Sequence, residues 1–125
     1  MSFAKNLEIY EDREEGPKEF VAQDSGFRCE LPREALGYTA LAPCHLRGSW
    51  GSAGYNTAGV GMSATESIFS SEKALAVDPL VKDGLAENSV FNIVLPYIRS
   101  AREGVLRLGA LIEEHGVAEG FGVGF

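Results

Sequence analysis

Cysteine and histidine are scarce: Cys29 and Cys44, His45 and His115 are all that the 125 residues contain. Two cysteines fit a reducing cytosol and leave no disulfide framework beyond a single Cys29–Cys44 bridge. No CxxC or HxxxH spacing holds a tetrahedral ion, and the adjacent Cys44-His45 stand far from His115. Basic residues are the next shortage, with 11 Lys and Arg against 18 Asp and Glu and a net charge of −7. No basic patch alternates with aromatics, which removes the main source of nucleic-acid affinity. Long apolar runs are missing too: nothing approaches the about 20 residues of a membrane-spanning helix, and residues 1–16 hold no secretory apolar core. These shortages predict a cytoplasmic protein that uses no metal or cofactor and has neither a nucleic-acid nor a membrane partner.

What is present suits one globular domain. Hydrophobic residues make up 45% and charged residues 23% of the chain, and a chain near this length buries about two-thirds of its unfolded surface. Glycine and small residues concentrate between Gly48 and Ser71. Gly51, Gly54, Gly59 and Gly61 allow close backbone approach, and Val60 and Met62 alternate with Gly61 and Ser63 at the period of a strand. The pattern predicts a hairpin: strands near 52–55 and 60–65 joined by the tight turn Asn56-Thr57-Ala58-Gly59. Its small-residue face serves either to line a site or to pack closely on a neighbour.

Upstream, Leu7, Ile9 and Tyr10 predict a short strand, residues 11–17 an acidic turn, and Phe20-Val21-Ala22 a second strand. Residues 23–37 read as irregular, and Tyr38 to Ala42 as a strand ending at Pro43. Downstream, residues 68–77 read as an apolar connection with a turn at Ser70-Ser71-Glu72, and Asp78-Pro79 as the start of a helical turn ending near Gly84. Val90, Phe91, Val94 and Leu95 recur at helical spacing until Pro96 breaks the pattern. Ser100 and Glu103 form a capping box. After it Ala101, Val105, Leu108, Leu111 and Ile112 face inward, Arg102, Arg107, Glu113 and Glu114 face outward, and Gly116 caps the end. Residues 121–125 read as one more strand, unpartnered, which suggests a piece of a larger domain.

The stretch from Tyr38 to Phe125 carries a dense series of matching residues. They are Trp50-Gly51-x-Ala53-Gly54-x-Asn56-x-Ala58-Gly59-Val60-x-Met62-Ser63-Ala64-Thr65-Glu66-Ser67 and Ala76-x-Asp78-Pro79-x-Val81-x-Asp83-Gly84. Leu95-Pro96-Tyr97-Ile98-x-Ser100-Ala101-Arg102-Glu103-Gly104-Val105-x-Arg107-Leu108-Gly109-Ala110 and Ala118-Glu119-Gly120-Phe121-Gly122-Val123 complete the series. In these it resembles the cysteine-type dipeptidases, dipeptidase A-like members of the N-terminal-nucleophile (Ntn) hydrolase superfamily.

The resemblance implies an α+β fold, residues 1–125 forming one partial domain of an αββα Ntn-hydrolase sandwich. Its antiparallel strands would be joined by two main helices near 87–95 and 100–115. It implies dipeptide hydrolysis by a cysteine exposed at the N-terminus, whose own α-amine acts as base; a free α-amine titrates near pH 8. That cysteine has no counterpart here. Of the family's arginine-asparagine-glutamate-aspartate motif only Glu11-Asp12 match, Ile9 and Tyr10 standing in the first two places, while Pro17-Lys18 and Phe20-Val21 agree with it.

Asp12 is the remaining catalytic candidate, as the group that orients the nucleophile's amine, and Asn56, Ser63, Thr65 and Glu66 are the candidates for binding substrate. Ser2, Cys44–His45 and Cys29–His115 are alternative sources of a nucleophile; neighbours on a strand point to opposite faces, which disfavours Cys44–His45. Two functional classes follow. One is a dipeptidase-family chain that is inactive by itself and whose family substrate is a small peptide. The other is a non-catalytic protein that forms homo-oligomers through exposed strand edges.

Overall fold

The computed structural model describes residues 10–11, 18–22, 25–41 and 52–125. Among these residues, two antiparallel sheets and three α-helices make the fold α+β, as expected. The first sheet holds β1 (Tyr10–Glu11), β2 (Lys18–Val21) and β3 (Arg28–Leu31) in sequential order. The second holds β4 (Tyr38–Leu41), β5 (Ala53–Asn56), β6 (Gly61–Thr65) and β7 (Gly122–Gly124), also in sequential order. The C-terminal strand thus has a partner: β7 pairs with β6, Ser63 opposite Gly124 and Thr65 opposite Gly122.

The hairpin forms where expected, within one residue at each end. Gly59 takes φ +81° at the turn, a conformation that residues with a Cβ avoid. Along β6 the pattern is strictly two-fold, with Gly61, Ser63 and Thr65 exposed and Met62 and Ala64 buried. The buried face receives α2 (Glu87–Val94), which is buried at seven of its eight positions. Phe91 reaches the sheet beside Tyr38, ring centroids 5.9 Å apart. A methyl added at Gly54 would run into the Thr39 carbonyl and the Phe91 ring, so only glycine lets β5 pass. A single-turn 3-10 helix, Leu95–Tyr97, follows at Pro96, as that proline requires. On the other side of the core, Phe20, Cys29 and Leu31 of the first sheet join Leu111 of α3 (Ala101–His115), and Phe27 packs edge-on against His115 at 5.3 Å.

Three local expectations are corrected. Within 23–37, taken as irregular, lies β3, whose Cys29 and Leu31 are buried while Arg28 and Glu30 face out. Its alternation is too short to stand out beside Pro32. The Ser70-Ser71-Glu72 turn is instead the start of α1 (Glu72–Val77), where Ser71 Oγ accepts the Ala74 N–H at 3.2 Å. No residue of α1 is buried, so it leaves no apolar stripe to read. Asp78 closes α1 rather than opening a helix, because Pro79 drives the residue before it out of the helical region.

The faces of α3 also differ. Val105 is 61% exposed, whereas Arg107 turns inward, donating from Nε to the Ile93 carbonyl at 2.8 Å and lying 4.9 Å from the Tyr97 ring centre. The aliphatic stem and cation–π stacking make the arginine a tolerable core residue. The capping box forms with a shift: Glu103 N–H donates to Ser100 Oγ at 3.2 Å, but the Glu103 carboxylate accepts from Arg99 N–H at 2.6 Å. Gly116 caps α3 at φ +69°.

Candidate functional site

Beyond Thr65 the chain leaves β6, and residues 66–70 cross over the segment that enters β7. The contact is close enough that a methyl on Gly120 would strike the Ile68 carbonyl. Between the two segments opens a cleft of about 420 Å³, lined by Glu66, Ile68, Phe69, Ser70, Leu75, Leu80, Glu119 and Gly120. Its walls are mostly apolar and its charges are both negative. Phe69 stands at the rim, 90% exposed.

Glu119 is fixed by α2. The N-cap of that helix, Ala86, has no side chain able to bond the free N–H groups, and Glu119 Oε1 accepts the Glu87 N–H at 2.8 Å instead. The positive end of the helix favours a carboxylate there. Glu87 itself is 6% exposed. Burial first, and then the like charges of Glu66 and Glu119, raise its carboxyl above the ordinary range. Three carboxylates thus act on one another at this end of the molecule.

Of the residues named from sequence, Glu66 lies in the cleft. Thr65 and Ser63 lie on the exposed face of β6, and Thr65 Oγ1 hydrogen-bonds Ser67 Oγ at 2.9 Å. Asn56 lies elsewhere, 2% exposed on the inner side of the hairpin. Its Nδ2 donates to the carbonyls of Leu95 at 2.9 Å and Ile98 at 2.7 Å, and its Oδ1 accepts from Ala58 N–H at 3.0 Å and Val60 N–H at 3.1 Å. All four positions of the amide are used by the protein itself. Asp12, Ser2, Cys44 and His45 lie outside the described residues.

Cys29 is buried on β3, and burial pushes its thiol up to about 11 despite the Arg107 cation nearby. It stays protonated at neutral pH and makes a poor nucleophile. His115, its suggested partner, instead packs against Phe27 and lies 3.8 Å from the Glu114 carboxylate. Among the described residues no group of three or more His, Cys, Asp or Glu could hold a metal ion, and no helix is long and apolar enough to cross a membrane.

Glu87 and Glu119 were missed by sequence reasoning. Glu119 stood inside the matching Ala118-Glu119-Gly120 segment, but only the β6–β7 ladder brings it beside Glu66.

Known proteins bear on this arrangement. The sequence model of Peptidase family C69 matches residues 2–125. The chain is 45% identical over 113 residues to "Probable dipeptidase A" of Streptococcus pyogenes serotype M1, covering 90% of this chain and 24% of that protein. It is 45% identical over 109 residues to "Probable dipeptidase" of Salmonella dublin, covering 86% of this chain and 25% of that one. To "Dipeptidase" of Bifidobacterium longum (strain NCC 2705) it is 43% identical over 125 residues, with 90% and 24% covered. The chain spans about a quarter of the length of these relatives. An α+β chain matched along almost its whole length by that one family model, it belongs to Peptidase family C69.

Proposed function

We propose that this chain forms part of an Ntn-type dipeptide-hydrolysing fold, supplies substrate-binding surface to it, and does not hydrolyse peptides by itself. The observation that carries this reading is the contrast between Cys29 and the cleft. The described cysteine is buried with a neutral thiol, while a peptide-sized cleft with apolar walls opens beside Glu66. In the whole enzyme an N-terminal cysteine would attack the peptide carbonyl, its α-amine taking the thiol proton and returning it to the leaving amine. Asp12 would orient that amine. Glu66 would hold substrate, and Ser63 and Thr65 would border the path along β6. Asn56 acts as a positioning residue that locks the hairpin to the Leu95–Tyr97 turn. The scarcity of cysteine supports a cytoplasmic location for this reading.

The test has two arms. The purified chain, incubated with a panel of dipeptides, is expected to give no turnover. Turnover that disappears in Cys29→Ala or Ser2→Ala would overturn the reading by placing a nucleophile in this chain. Exchanging the chain for the matching quarter of the Bifidobacterium longum relative is expected to give a chimaera that cleaves dipeptides. A folded but inert chimaera would contradict the role in substrate binding.

Self-association is a second reading with its own support. Among the described residues β7 lies at the edge of its sheet, and Val105 and Leu106 leave an apolar strip on α3, 61% and 60% exposed. A homo-oligomer would cover both. Sedimentation of the purified chain checks this, and a monomer across the micromolar range would rule it out.

A further inference from the structure

α3 carries two glycines, and only one has a reason inside the chain. A methyl on Gly104 would strike the Phe125 ring, so that glycine makes room for the residue that follows β7. A methyl on Gly109 would meet nothing within 4 Å. Glycine is the least favourable residue in a helix interior after proline, and nothing among the described residues requires it there. Gly109 sits in the face turned away from the core. At about 100° per residue, Arg102, Leu106, Gly109 and Glu113 fall within one arc of about 60°, with Val105 and Ala110 on either side. Gly104 and Leu111, the buried residues of the helix, lie opposite. Arg102, Val105, Leu106, Ala110 and Glu113 are all exposed. Neither Arg102 nor Glu113 makes a side-chain hydrogen bond or ion pair among the described residues.

This face is complementary to itself. Laid antiparallel on a second copy, with the two-fold axis between Arg107 and Leu108, it sets Arg102 against Glu113, Val105 against Ala110 and Leu106 against Gly109. Each large apolar side chain meets a small residue, which lets two helix axes approach closely. Each charge meets its opposite. A parallel alignment would instead oppose Arg102 to Arg102 and Glu113 to Glu113.

We propose that a second copy of this chain docks on α3, the two helices packing antiparallel through Leu106 and Gly109 and held at both ends by Arg102–Glu113 pairs. The inference rests on the self-association reading and names its surface: the helix face rather than the β7 edge. One helix pair is at the small end of specific interfaces, so the dimer is expected in the micromolar range.

The test is sedimentation equilibrium of the full chain, of Arg102→Glu, of Glu113→Arg, and of the two variants mixed. Both substitutions suit the helix dipole, with acid in the first turn and base in the last, so α3 itself is not weakened. In a homodimer of either variant both end contacts become like-charged; in the mixed dimer both are opposite-charged again. Two exposed pairs turned from attraction to repulsion amount to about a tenfold loss of affinity. Each variant alone is therefore expected to dimerise about tenfold more weakly than the parent and the mixture as tightly as the parent, with the contrast fading in high salt. Gly109→Gln is expected to raise the melting temperature of the dilute monomer, because glutamine favours a helix, while weakening the dimer by about tenfold or more. A Gly109→Gln chain that dimerises like the parent would overturn the proposal. If parent dimers persist unchanged in both charge variants, or the mixture associates no better than its components, the α3 face is rejected while self-association stands through another surface. A parent that stays monomeric overturns both.

Discussion

Asn56 and Glu66 bracket the same strand, carry similar polar side chains, and live in opposite surroundings. Asn56 is sealed inside, and every hydrogen-bonding position of its amide is matched by backbone of the hairpin or of the 3-10 turn. Glu66 is exposed at the rim of a cleft, shares it with Glu119, and makes no hydrogen bond or ion pair among the described residues. A satisfied polar group stabilises the fold; an unsatisfied one beside an apolar wall is left available to a ligand. Of two residues that looked equally suited to hold a substrate, the protein uses one to fasten itself together.

The comparison breaks most visibly at Asn56. Replacing it with Ala strands two carbonyls and the Val60 N–H in a buried place, and the Ala58 N–H in a half-buried one. The expected loss is about 3 kcal/mol or more, read by chemical denaturation, since each orphaned group costs roughly 1–3 kcal/mol before relaxation. Asn56→Asp is expected to fall almost as far, because a carboxylate cannot donate to the Leu95 and Ile98 carbonyls. A variant within 1 kcal/mol of the parent, on the scale of about one ordinary hydrogen bond, would return Asn56 to the list of groups free to bind substrate.

Glu87 stands between the two cases, buried like Asn56 but part of the acidic cluster like Glu66. Its folded-state carboxyl titrates above the ordinary value, so between the unfolded and folded pKa the native state holds more protons than the unfolded one. Stability contributed there is present at low pH and lost as pH rises through that window. Glu87→Gln carries no such charge. Thermal melts of parent and variant are expected to agree near pH 4 and to separate on the way to pH 7, with the Gln protein the more stable. Parallel curves would mean that the three carboxylates do not act on one another.

At the small end, Glu66→Gln is expected to change stability by less than about 0.5 kcal/mol, as exposed substitutions do. Phe69→Ser should be equally quiet, because at 90% exposure its ring contributes little to the core. A large loss at either position would make the cleft a structural feature like the Asn56 clamp.

The parts of the fold legible in the sequence are those with a repeating signal. The β5–β6 hairpin showed in its alternation and its Asn56-to-Gly59 turn, and α3 in its Ser100 cap and long apolar spacing. What stayed hidden had no period to read. α1 buries nothing, and β3 is a single alternation of four residues. Arg107 looked like surface because of its charge, yet its guanidinium stacks on Tyr97 and donates to the Ile93 carbonyl. The site divided in the same way. Glu66, a candidate named from its place at the end of a strand, lines the cleft. Its companion Glu119 could not be named, because the pairing of β6 with β7 is a long-range event that neither segment announces.

The contrast between clamp and cleft is tested most directly by mapping backbone and side-chain amide chemical shifts of the labelled chain during titration with leucyl-leucinamide. Perturbations are expected to gather at residues 66–70, Leu75, Leu80, Glu119 and Gly120, with the Asn56 side-chain amide, Ala58 and Val60 unmoved. Shifts centred on Asn56 and its turn, with the Glu66 cleft silent, would contradict it.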